Sequence, residues 1–169
     1  IIENQITAII TNTNVSPWEQ TVSTMDVNVV NLDNVGSGSG VVFADNFDPM
    51  NSSQWSLIGA IAEGAGINEF FDGNALRFSG NNTRTAQTIP LNISRGGSVS
   101  FRLRIGGEYS STPYFEDADF GEDVVLEYST NNGNSCVSMS LFSTTDSRYI
   151  NGNWGLAEIT IPDAAASIN

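Results

Sequence analysis

The chain has 169 residues, 40% of them hydrophobic, with six arginines, no lysine and no histidine against 19 acidic residues, for a net charge of −13. That balance leaves too few cations to build a phosphate-binding patch, which argues against nucleic acid and anionic membrane surfaces as partners. The absence of histidine removes Ser-His and Cys-His nucleophile pairs and imidazole zinc sites, and the single Cys136 has no partner for a disulfide within the chain.

Paired carboxylates are the catalytic chemistry still open, yet strand parity brings no two acids to face each other, so no catalytic residue is expected. Cys136 has no activating base in view and reads as a small buried hydrophobe. The acidic surplus suits solubility in salt and divalent cations such as calcium. No stretch approaches the roughly 18 apolar residues of a membrane span, so no membrane insertion is expected. Ile1-Ile2-Glu3-Asn4-Gln5 carries neither an initiator methionine nor a basic signal-peptide start, which fits a segment of a longer polypeptide.

Residues 1–40 read as an N-terminal arm. Ile2, Ile6, Ile9 and Ile10 fall at helical spacing, but they are also β-branched, so a short amphipathic helix and a strand are both open. Met25 to Leu32 alternates in part and predicts a strand. Gly36-Ser37-Gly38-Ser39-Gly40 is a linker by composition and sets the boundary to a second unit, residues 41–169.

From Val41 onward, short strands separated by turn residues predict an antiparallel β-sandwich. Val41-Val42-Phe43 opens it. In Ala75 to Ser79, Leu76 and Phe78 share one face. In Ser98 to Ile105, Val99, Phe101, Leu103 and Ile105 alternate with Ser100, Arg102 and Arg104, which puts one face in a core and the other in solvent. Val124 to Ser129 and Val137 to Phe142 flank Asn132-Gly133, a pair that favours the positive φ of a tight hairpin. Ala157, Ile159 and Ile161 face inward in a last strand, Pro162 ends its ladder, and Ala164-Ala165-Ala166 can start a helical turn.

Several segments in this order resemble one family. They are Asp45-Asn46-Phe47-Asp48, Trp55, Gly73-Asn74-Ala75-Leu76-Arg77-Phe78-Ser79-Gly80, Arg84-Thr85-Ala86, Val99 to Gly106, Val124 to Gly133, and Ile159-Thr160-Ile161-Pro162. Together they are similar to the jelly-roll subdomain of reelin-type repeats, over about residues 43–166. The resemblance implies an all-β jelly roll from an extracellular matrix protein or a bacterial or phage surface protein. Two departures stand out. Cys136 lies where such modules usually carry a tryptophan, and they normally continue past the Ile-Pro with two more strands, so the sandwich is expected to be incomplete at its C-terminus. Either those strands lie in further sequence, or another segment, such as the arm of this or a neighbouring copy, fills the place.

The resemblance also implies a structural calcium beside the opening strand, near Asp45, Asp48 and Asp72, residues that equally serve as turn formers. From spacing alone, Asp117 and Asp119 in the acidic run 116–123 are further calcium candidates, against the reading of a solvated loop. Arg102 and Arg104 could clamp a carboxylate or pair with acids across strands. Tyr109, Tyr114 and Trp154 are candidate ligand-binding aromatics, or else they fold back onto the sandwich. The expected function is a non-catalytic structural or adhesive module on an extracellular or virion surface, as in a fibre, a tail or a capsid decoration. Its expected partners are other copies of itself, neighbouring modules and a cell-surface glycan. The alternative is a carbohydrate-binding module of a secreted enzyme.

Overall fold

The structure is a computed structural model that describes residues 5–12, 20–21, 43–47, 49–58, 61–63, 75–78, 84–93, 96–106, 119–150 and 153–166. The strands are β1 (Gln5–Asn12), β2 (Gln20–Thr21), β3 (Trp55–Ile58), β4 (Ile61–Glu63), β5 (Ala75–Phe78), β6 (Arg84–Thr88), β7 (Leu91–Asn92), β8 (Ser98–Leu103), β9 (Val124–Ser129), β10 (Val137–Phe142) and β11 (Gly155–Thr160). One helical turn, α1 (Asp163–Ala166), follows Pro162, and its Ala165 is fully buried.

The strands form three antiparallel sheets. The largest has six strands in the order β10-β9-β1-β6-β3, with β7 also paired to β1; the others are β11-β8 and β2-β5-β4. Of the two conformations open to the isoleucines of the arm, the strand is the one adopted, and it lies in the middle of the largest sheet. On one side β1 pairs with β9 from Thr7↔Ser129 to Asn12↔Val124. On the other, Gln5 and Ile6 meet β7, and Ile9 to Asn12 meet β6. The gap between these last two stretches faces Ile89-Pro90, and a proline has no N–H for a ladder.

Buried side chains of all three sheets join one core. The large sheet contributes Trp55, Ala86, Leu91, Val124, Leu126, Tyr128 and Phe142; the second contributes Val99, Phe101, Leu103 and Ala157; the third contributes Leu76 and Phe78. Phe142 sits edge-on to both Phe101 and Tyr149, each at 5.4 Å between ring centroids, an arrangement in which ring edges meet ring faces. The fold is the expected all-β sandwich. β8 keeps the period of two read from its sequence, and all three of its apolar residues are buried.

Four local expectations change. Residues 43–47 form no strand: the Asp45 carboxylate takes the Phe47 N–H at 2.8 Å, and Phe47 adopts a left-handed φ of 60°. Such a local side-chain acceptor competes with a strand ladder. Arg104 is buried rather than outward, because β8 ends at Leu103 and the chain turns at Gly106, where φ is 66°. Asn132 and Gly133 do have positive φ, at 56° and 82°, but pairing starts only at Val137↔Tyr128. The loop is therefore wider than a two-residue turn, held by Ser129 Oγ accepting from Gly133 N at 2.8 Å and Asn131 Oδ1 accepting from Ser135 N at 2.9 Å. Cys136, expected inside, is exposed on that loop. Partial desolvation, and after it the Glu127 carboxylate, raise its thiol pKa, which disfavours the thiolate.

Two substitutions test this packing. Phe101→Ala removes a fully buried ring and is expected to cost about 3–5 kcal/mol by denaturant unfolding. Gly155→Ala places a methyl against the Tyr149 ring and the Arg148 carbonyl, so it should destabilise the fold severely, whereas Leu156→Ala on the exposed side of the same strand should change stability by about 0.5 kcal/mol or less.

Candidate functional site

Asp45 is the most engaged of the candidate carboxylates. It is 4% exposed, and its two oxygens accept three N–H groups: Phe47 N at 2.8 Å, Asn51 N at 3.0 Å and the Trp55 indole Nε1 at 2.8 Å. Phe43 packs edge-on to Trp55 at 5.3 Å, and Phe47 lies 5.9 Å away on a tilted plane. One charged acceptor thus ties the irregular segment 43–51 to β3 and places two phenylalanines in the core. Calcium is bound by sets of six to eight oxygens, whereas the groups around Asp45 are N–H donors. Asp48 and Asp72 lie outside the described residues. Among the described residues, no three His, Cys, Asp or Glu side chains converge on a point.

In the acidic run, Asp117 also lies outside the described residues. Asp119 is exposed and begins a turn: its N–H donates to Glu122 Oε2 at 2.7 Å, and its carbonyl accepts from Glu122 N at 3.1 Å. Asp123 Oδ1 accepts from Thr144 N at 2.9 Å, which fastens this turn to the far end of β10. The carboxylates of Glu122 and Asp123 therefore hold backbone. What they display is Phe120, 90% exposed at the tip of the turn. Residue type carries no cue for this, since an aromatic among acids in a turn can point either way.

Tyr109 and Tyr114 lie outside the described residues. Trp154 is half-buried, and the buried Arg104 guanidinium stands 5.7 Å from its ring centroid, while Arg104 Nε donates to Gly106 O at 3.0 Å. Arg104 is thus packed inside rather than presented to a ligand. On the edge strand β10, which carries no charged residue, Val137 is 52% and Leu141 60% exposed, on opposite faces because Val137 pairs with Tyr128 and Leu141 with Val125. β10 is also the end of its sheet, with one side facing no described strand.

Fold and surface together define an antiparallel β-sandwich module whose carboxylates organise turns and whose largest sheet ends in an uncharged strand. The chain belongs to the reelin-type repeat family: the family model of Reelin subrepeat B matches residues 59–169. Reelin-type repeats are structural β modules found in extracellular proteins. No solved structure matches the chain.

Two predictions follow from the carboxylates. Asp45→Ala leaves three N–H groups without their acceptor and should destabilise the fold by about 3–5 kcal/mol, with a change in the near-ultraviolet circular dichroism of Trp55. Asp146 is held below the ordinary aspartate pKa, first by the Arg148 side chain and then by the Arg148 backbone N–H. A depressed folded-state pKa means that this pair's contribution is present above the ordinary value of 3.8 and is lost as pH falls through the lower folded one. Carbon-detected NMR titration should find Asp146 titrating below an ordinary aspartate, and Arg148→Gln should return it toward the ordinary value.

Proposed function

We propose that this chain is a non-catalytic structural and adhesive module of a larger protein on an extracellular or virion surface, acting through protein–protein contact. The observation that carries this reading is the uncharged edge strand β10, one side of which faces no described strand and which exposes Val137 and Leu141. A sheet edge presents N–H and C=O groups in a row and is a template for another chain. Soluble sandwiches usually guard such an edge with lysine, proline or inward charge, and β10 has none of these. Its exposed Val137 and Leu141 side chains add area that association can remove from water. Family membership supports the same reading, because the repeat is a building block of extracellular proteins.

The test is location on the intact source. Antibody raised against the purified chain is applied to unpermeabilised cells or particles and followed by immunogold microscopy. Label on the outer surface or on an appendage is the expected result. Label that appears only after permeabilisation overturns the proposal.

A further inference from the structure

We propose that β1 is an exchangeable strand, and that the slot it fills between β9 and the β6–β7 edge also accepts β1 from a second copy of this chain. This deepens the module reading above and rests on it, naming the partner through which copies assemble.

Four observations lead there. First, the walls of the slot, β6, β7 and β9, lie within residues 59–169, the part matched by the repeat family, whereas β1 lies outside that match. The repeat thus supplies a sheet that is closed by a segment from elsewhere in sequence. Second, β1 is paired on both sides. Thr7 to Asn12 meet β9, while Gln5, Ile6 and Ile9 to Asn12 meet β7 and β6. Its departure would leave two facing rows of N–H and C=O groups with no partner, which only another strand of suitable register can satisfy. Third, the register belongs to this sequence, so β1 of a second copy makes the same pairs as the chain's own. Exchange then replaces no interaction by a worse one, and only association and tether geometry distinguish the two states.

The fourth observation is reach. Residues 13–42 separate β1 from Phe43 and can span roughly 100 Å when extended. A sandwich of this size is only about 35 Å across. Along that stretch the described pairing is Gln20↔Phe78 and Thr21↔Arg77 between β2 and β5, two residue pairs against the longer ladders of β1. Even if that contact is kept, residues 22–42 can extend over roughly 70 Å. The tether is therefore long enough to deliver β1 to a neighbouring sandwich. Reciprocal exchange closes a two-fold dimer, and one-way exchange passes a strand from copy to copy along a filament.

The test uses the full chain in a Cys136→Ser background. Thr11 and Val125 are register partners on β1 and β9, and neighbouring antiparallel positions lie within disulfide reach. The double variant Thr11→Cys/Val125→Cys is oxidised at low concentration. The single variants Thr11→Cys and Val125→Cys, one of them isotope-labelled, are unfolded together, refolded at high concentration and then oxidised. The proposal expects an intrachain disulfide in the double variant and a disulfide-linked heterodimer in the co-refolded mixture. The heterodimer should fall on dilution before oxidation, and it should be absent when the singles are folded apart and combined only at oxidation. Closure of the double variant with no heterodimer at any concentration overturns exchange while leaving the module reading to stand on surface labelling. Failure of the double variant to close overturns it as well, because β1 then does not lie beside β9.

Discussion

The constraint on which the rest of this molecule depends is the position of β1 in the middle of its largest sheet. β9 and β6 are not bonded to each other; each is bonded to β1. Without it the six-stranded sheet divides into the β9–β10 hairpin and the β3–β6 pair, and the buried residues of those halves lose their common backing. Leu126 and Tyr128 on one side and Ala86 on the other reach a single core because one strand holds both halves in register. A strand of this kind has no exposed ladder of its own, so its ordering entropy is offset by hydrogen bonds on both sides. The contact is also highly non-local: residues 7–12 meet residues 124–129, from Thr7↔Ser129 to Asn12↔Val124. Loop closure of that length makes folding slow relative to local hairpins, so the β9–β10 hairpin can form well before β1 docks.

Around that frame, carboxylates and short polar side chains accept backbone N–H groups, while the buried Arg104 donates to the Gly106 carbonyl. Asp45 gathers three N–H groups, Glu122 and Asp123 hold the turn before β9, and Ser129 with Asn131 shapes the loop before β10. Each replaces a ladder bond that the strand pattern alone would predict. This is how a chain rich in Asp, Asn and Ser can fold with so many irregular connections and keep its buried backbone satisfied.

These substitutions of side chain for ladder mark where sequence reading succeeds and where it stops. β8, β9 and β11 were legible because alternation is a local property: Val99, Phe101 and Leu103 need no knowledge of what lies opposite. β10 does not alternate in burial, its register shifting between Ser138 and Ser140, and it was legible from the Asn132-Gly133 turn before it. The isoleucines of residues 1–10 were ambiguous because spacing alone satisfies both a helix and a strand, and only β9 and β6, far along the chain, decide between them. Val41-Val42-Phe43 looked like an opening strand; Val41 and Val42 lie outside the described residues, and from Phe43 on there is no strand, Asp45 capturing the Phe47 amide instead. Arg104 looked solvated by parity, but parity lasts only as long as the strand, and β8 ends one residue earlier. Cys136 looked buried by residue type, yet loop width, set by Ser129 and Asn131, carries it outside. For the candidate site, acids were weighed as metal ligands, whereas the described Asp45 carboxylate accepts three N–H groups and Asp119 joins its turn through its backbone; Phe120 escaped notice because exposure is not encoded in residue type. Asp48, Asp72, Asp117, Tyr109 and Tyr114 lie outside the described residues.

Charge sets the conditions under which the uncharged edge strand β10 would meet another surface. A net charge of −13 makes copies of this chain repel at long range. At about 0.15 M salt, however, that repulsion is screened beyond roughly 8 Å, whereas apolar burial and strand pairing operate only at contact. The two effects therefore act at different distances. Repulsion keeps separate copies dispersed in dilute, low-salt solution, and at higher salt it no longer opposes the approach of one uncharged edge strand to another surface. β10 fits this division: its backbone and side chains offer short-range attraction, and it contributes no charge to the long-range barrier. Total charge of this size opposes non-specific aggregation, and because β10 carries no charge, any pairing at that edge would take its specificity from register and shape rather than from ion pairing.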